Sequence, residues 1–382
     1  MENAIVLGVV ATIVALIGLL GRAARDRATP AQLVVMTLPL GIIAGGYTAS
    51  LGASLPWVLL AAVSALLAVL AGTFVGRSPA LADQQVRPAA AGLSLAFGGL
   101  IALGMAAIVI LWAGQIIRAM SNLNSYVVAA VLVLAAVAFG IGGRSAVGLS
   151  RLVLGLLIAG AVLMLALGAV AGDPASIVSA EVPVPTISPI SAIVYAIAVI
   201  LIGAGLPVLR EGSHGNRRAA IVAAVVLALL VVVAGLGMLA LYGGAYDLPS
   251  LVINIFPEYT PSWLAAIVCG LVAIVSTVTA GASINEAAKV VASVVPSWYE
   301  DVEHRLGPRR HVAFVCGLMV LIIVWLAPPP TAIVAILGVM GAANLITEWV
   351  ISKGIAQGDR AGSAQGPASS SESVAAGEIA GD

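Results

Sequence analysis

Residues Trp263 to Val295 read WLAAIVCGLVAIVSTVTAGASINEAAKVVASVV. The first half is apolar, whereas the second carries Ser276, Thr277, Thr279, Ser283, Asn285, Glu286 and Lys289. As a helix the stretch is about 50 Å long, well past a hydrocarbon core of about 30 Å. It therefore crosses a bilayer with a steep tilt or runs on into the cytosol. Polar groups at membrane depth cost free energy unless they find partners, so the Ser276-Thr277 pair in mid-span is a candidate site. The competing reading is that both hydroxyls bond back to carbonyls three or four residues earlier.

Outward from this stretch the chain is of the same kind. Its content of 61% hydrophobic and 9% charged residues excludes a soluble globular domain and marks a polytopic membrane protein. The zero net charge argues against a nucleic-acid partner. Hydropathy predicts eleven spans, roughly 3–21, 33–53, 56–76, 91–117, 126–142, 148–171, 190–209, 217–242, 263–295, 312–327 and 331–352. With the N-terminus outside, all but two of the 17 Lys and Arg residues fall on inner segments; Arg118 is outside and Lys289 lies within a span. The first helix is expected to be retained, since Arg22, Arg25 and Arg27 follow it. Cys269 and Cys316 sit in apolar spans without CxxC spacing, and His214, His304 and His311 form no ligand cluster. No metal centre, cofactor or enzymatic activity is expected.

Two spans contain helix breakers. The second has Pro39 with Gly41, Gly45 and Gly46, and the seventh has Gly203, Gly205 and Pro207. Two interrupted segments at corresponding positions in two halves mark an inverted-repeat transporter with its site at the midplane. Gly41 and Gly45 also fit a helix-packing pair. The fourth span is almost featureless, and Glu348, near the end of the last one, reads as interfacial. Glu286 and Lys289 are spaced to pair on one helix face.

Three short motifs resemble those of sodium:solute symporters. Gly142, Gly143, Ala146 and Val147 match the family's glycine pair, two variable residues and Ala-Val at an inner turn. Gly205, Pro207 and Arg210 match its Gly-x-Pro followed by arginine, with Val208 where the family has histidine. Ala273, Ser276 and Thr277 reproduce its Ala-x-x-Ser-Thr run. Val35 stands where sodium-proline symporters carry an aspartate.

The resemblance implies an all-α LeuT-like fold, one N-terminal helix followed by a five-plus-five inverted repeat. The expected divisions are residues 1–30 for the first helix and inner loop, 31–172 for the first repeat, 173–189 for an outer connection, 190–353 for the second repeat and 354–382 for a disordered cytoplasmic tail. The resemblance further implies sodium as coupling ion, held by Ala273, Ser276 and Thr277 with carbonyls near Leu33 and Met36. A small solute is expected at Thr37, Gly41, Tyr47, Tyr195, Gly203 and Gly205, with Arg210, Asn285, Glu286 and Lys289 at an inner gate. The chain is then a plasma-membrane symporter; a proton-coupled or uncoupled carrier, or a non-transporting sensor or assembly subunit, are the alternatives.

Overall fold

The computed structural model describes residues 2–20, 29–50, 54–75, 88–121, 123–141, 147–171, 189–209, 217–242, 262–294, 308–326 and 328–364. The described residues form helices α1 (Glu2–Leu20), α2 (Pro30–Ser50), α3 (Leu55–Val75), α4 (Pro88–Ser121), α5 (Ser125–Ile141), α6 (Val147–Ala171), α7 (Pro189–Gly205), α8 (Arg217–Tyr242), α9 (Ser262–Val294), α10 (Pro308–Trp325) and α11 (Pro330–Ala364). Six are long and apolar enough to cross a membrane, and the rest include shorter apolar spans. Each matches an expected span to within a few residues at its start.

Local chemistry explains several starts. At α2, Thr29 and Gln32 form a reciprocal cap: Gln32 Oε1 accepts from the Thr29 backbone N–H at 2.8 Å, and the Thr29 hydroxyl accepts from the Gln32 N–H at 3.3 Å. Pro30 occupies the first helical position, where a missing N–H costs nothing. At α5, Asn124 Oδ1 accepts from the Tyr126 N–H at 2.9 Å. At the other end of the chain α11 continues to Ala364, so residues 354–364 are helical where disorder was expected. Extending a helix that already exists avoids the cost of nucleation, and that suffices for this polar segment.

Contacts between helix ends show the up-and-down course. Arg217, opening α8, lies 4.6 Å over the ring of Phe74 near the end of α3. Gly99, early in α4, meets Val290, late in α9. At the opposite end Val58, early in α3, meets Gly235, late in α8. Tyr126, opening α5, meets Trp325, closing α10, edge-on at 6.4 Å.

Two hydrophobic cores result. One lies among α1, α4, α5, α9 and α10. The larger joins α2, α3, α6, α7, α8 and α11, and takes in Ile101 and Met105 of α4 with Val275 and Val278 of α9. Helices α4 and α9 each place at least two residues in either core and form the main seam between them, with Val14 of α1 and Phe139 of α5 also reaching into the larger core. Residues such as Ile5, Leu163 and Phe314 point outward, as a lipid-facing surface requires. The chain is a multi-pass membrane protein.

Candidate ion and solute site

The hydroxyls of α9 do not all behave alike. Ser276 Oγ donates to the Ala273 carbonyl at 3.2 Å, the back-bonded arrangement available to any serine in a membrane helix. Thr277 Oγ1 and Thr279 Oγ1 are fully buried and have no hydrogen-bond partner among the described residues. Leaving a buried hydroxyl unpaired costs about 1–3 kcal/mol. Ser283 Oγ donates to the Thr279 carbonyl at 3.1 Å. Spacings of three, four and three residues place Ser276, Thr279, Ser283 and Glu286 along one face. All four are buried.

Helix α2 packs directly on α9, and Leu33 and Met36 share a core with Val275 and Val278. The expectation that α2 unwinds at Pro39 is not met. It is one continuous helix with Pro39 inside it. It packs among α3, α6, α7 and α8, where its backbone groups are best satisfied within the helix itself. Pro39 has no N–H, which takes from the Val35 carbonyl its donor one turn ahead. Val35 is buried. Thr37 Oγ1 donates to the Leu33 carbonyl at 2.8 Å, with the Val34 carbonyl at 3.3 Å, so this hydroxyl is already engaged.

The other expected break is present. Helix α7 ends at Gly205, after which the Leu206 N–H reaches the Gly203 carbonyl at 3.1 Å and the Leu209 N–H the Leu206 carbonyl at 3.3 Å. Pro207 cannot supply the donor that would continue the ladder. The glycines permit close packing here. A Cβ on Gly203 would lie 2.4 Å from the Ala68 carbonyl oxygen of α3, and one on Gly205 would lie 2.4 Å from Ile101 Cδ1 of α4. Gly41 likewise abuts Leu227 of α8. Tyr195 is half-buried near the start of α7 beside Trp57 and Leu60. The structure therefore brings α2 against both α7 and α9, and places these three glycines at helix contacts. The side chain of Tyr47 lies outside the described residues.

At the far end of α9, Lys289 Nζ and Glu286 Oε1 are 2.5 Å apart; Glu286 is 3% exposed and Lys289 18%, a buried acid with a cation reaching toward the surface. Asn285 is buried beside them, and Arg210 lies outside the described residues. The gate candidates on α9 are thus brought together.

Glu348 departs from the expectation of an interfacial acid. It is 5% exposed, and Ser94 Oγ of α4 lies 3.2 Å from its Oε1 and 2.7 Å from Asn344 Oδ1. Asn344 Nδ2 reaches the Gly205 carbonyl at 3.4 Å. Asn344 and Glu348, four residues apart in an otherwise apolar span, are the signal that could have pointed here. Their partner Ser94 comes from a helix that carries no polar pattern of its own.

No family model matches the chain, and no curated protein matches it in sequence. Among solved structures it is similar to a Na+-coupled sialic acid symporter in a substrate-bound outward-open state, with a TM-score of 0.69, 15% identity, and coverage of 92% of this chain and 86% of that one. It is also similar to a nucleobase-cation-symport-1 family transporter in a closed conformation with bromovinylhydantoin bound, with a TM-score of 0.54, 15% identity, and coverage of 83% and 76%. The fold is therefore the LeuT-like fold of these transporters.

Proposed function

We propose that the chain is a secondary active transporter that couples the movement of a small organic solute to sodium by alternating access. The observation that carries this reading is the buried, unpartnered Thr277 hydroxyl beside Ser276, on a helix packed against α2. Sodium is a hard cation that accepts neutral hydroxyl and carbonyl oxygens, and the α2–α9 contact can supply both. Ala273, Ser276 and Thr277 are the α9 ligands in this reading. Leu33 and Met36 mark the part of α2 that faces them, and Val35 adds a carbonyl deprived of its helical donor. Sodium bound there favours the state in which α2 and α9 are close, and by linkage solute and ion then assist each other.

The solute site lies between α2 and α7, small and mostly apolar, with Thr37, Tyr47 and Tyr195 as its polar side chains and Gly41, Gly203 and Gly205 setting the helix spacing around it. Arg210, Asn285, Glu286 and Lys289 form the inner gate. The two repeats are residues 31–172 and 190–353, in a plasma membrane with the N-terminus outside. Thermal unfolding of the purified protein in sodium chloride against choline chloride tests the ion site. Sodium at 100 times its Kd adds about 2.7 kcal/mol. The Ser276→Ala/Thr277→Ala double variant should lose that increment, and an unchanged sodium response in it removes the assigned site. A proton-coupled carrier is the second reading, favoured by the burial of Glu286; transport insensitive to sodium but lost in Glu286→Gln selects it.

A further inference from the structure

Helices α6 and α8 pack along one another and run in the same direction. Near their C-terminal ends a Cβ on Gly168 would lie 2.8 Å from the Gly237 carbonyl oxygen, and one on Gly237 would lie 2.6 Å from the Met164 carbonyl oxygen. Helical periodicity carries this contact back to the other end. Ser150 and Ala161 share the face of Gly168, and Ala219 and Ala223 share that of Gly237. All four are buried, so the two helices still touch in their first turns.

Arg151 follows Ser150 on α6, and Arg218 precedes Ala219 on α8. One step forward and one step back turn by about 100° in opposite senses. On two facing parallel helices that brings both side chains to the same flank of the contact. The other flank is closed by the larger core, to which Leu149 and Val153 of α6 belong, and by α2, whose Gly41 meets Leu227 and Val231 of α8. Arg151 and Arg218 are accordingly exposed. Arg151 lies 17 residues before Gly168 and Arg218 lies 19 before Gly237, so the two stand within about 3 Å of the same depth.

Neither arginine has a hydrogen bond or ion pair among the described residues, and α2, α3, α6 and α8 contain no Asp or Glu. The neighbouring Arg217 is engaged over the Phe74 ring. Cations in a first helical turn also oppose the macrodipole, which favours an anion at that place. From the arginines toward mid-span the same flank is apolar. Ile158 and Val162 of α6 and Val222 and Leu229 of α8 are exposed along it, and a Cβ on Gly155 would meet nothing within 4 Å.

We propose that Arg151 and Arg218 bind the phosphate of an anionic phospholipid whose acyl chains lie in the groove between α6 and α8. Guanidinium groups suit phosphate oxygens, and basic pockets between membrane helices hold such headgroups. The apolar groove that continues from them faces the bilayer, where acyl chains are the available occupant. Helix α6 is the least buried of the six long spans, so the lipid adds contact where the bundle supplies least.

The test is thermal unfolding of the full-length protein in detergent micelles supplemented with dioleoyl phosphatidylglycerol or with dioleoyl phosphatidylcholine at equal ionic strength. Phosphatidylglycerol should raise the wild-type Tm by about 3 °C more than phosphatidylcholine does. Arg151→Gln/Arg218→Gln should respond to both lipids alike. Gly155→Leu keeps both charges but fills the groove, and should require about tenfold more phosphatidylglycerol for the same shift; it serves if the double variant is not monodisperse. An equal wild-type response to the two lipids overturns the proposal, as does a phosphatidylglycerol effect that survives in the double variant. Inorganic phosphate reproducing the shift shows an anion site without a lipid, and a Tm that follows protein concentration and not phosphatidylglycerol shows a second copy on this face; either result also overturns it.

Discussion

Thr277 and Ser276 are neighbours with opposite hydrogen-bond states, and the difference can be measured. Thr277→Val removes a buried hydroxyl that has no partner among the described residues while keeping its shape. Without sodium it should leave stability unchanged or raise it by about 1 kcal/mol, and it should remove the part of the sodium-dependent shift in Tm that this site contributes. Ser276→Ala gives up one internal hydrogen bond worth about 1 kcal/mol and should be destabilising without sodium. Opposite signs in choline are the expected outcome, and equal signs would mean the two hydroxyls share one environment. The Glu286–Lys289 pair gives a third residue-level prediction. Lys289→Met takes the ion-pair partner seen here from a buried acid and should lower stability by about 3 kcal/mol, part of which Glu286→Gln in the same chain should restore; denaturant unfolding in detergent measures both.

Among the elements, the second and seventh spans each contain a proline and glycines, yet α2 runs through Pro39 whereas α7 ends at Gly205, before Pro207. Proline costs a helix interior about 3 kcal/mol through its missing donor and its ring clash. In α2 the surrounding helices enforce continuity. In α7 the Gly203 and Gly205 carbonyls find other donors, the Leu206 N–H and the Asn344 amide. Pro39→Ala should therefore raise Tm in sodium-free buffer, by returning a donor to Val35, and weaken sodium's effect if that carbonyl is a ligand. The glycines separate in the same way. A Cβ on Gly45 meets nothing within 4 Å, whereas one on Gly203 lands on the Ala68 backbone. Gly45→Ala should be neutral or stabilising by up to about 1 kcal/mol, and Gly203→Ala destabilising by about 1–3 kcal/mol. Matching Tm values for the two variants would show that the α3–α7 contact is looser than drawn.

The whole molecule consists of two cores that meet along α4 and α9, and the Thr277 hydroxyl of α9 and the Ser94 hydroxyl of α4 both lie on these helices. If the chain transports as proposed, alternating access amounts to motion of the α2–α7 side against the α4–α9 side. A cysteine pair replacing Gly98 and Pro207 bridges the two sides and should stop solute flux on oxidation, with recovery on reduction. A pair replacing Gly99 and Val290 lies within the α4–α9 side and should leave flux intact. Flux lost equally in both pairs would contradict this division.

The positions of the described helices and the alternation of their ends were legible from the chain, because each depends on local quantities: a run of about 20 apolar residues, a cap such as Thr29 with Gln32, and cations at span ends. Ser276 and Thr277 were legible as candidates because polar groups in hydrocarbon stand out. Only the tertiary structure decided which of them lacks a partner, that α2 stays unbroken through Pro39, that Gly203 and Gly205 fill helix contacts, and that Glu348 is buried against Ser94, about 250 positions away in the chain. Spacing along one helix fixes which residues share a face, whereas the partner on that face is supplied by another helix. Burial and hydrogen bonding are properties of that pairing, and no single segment contains them.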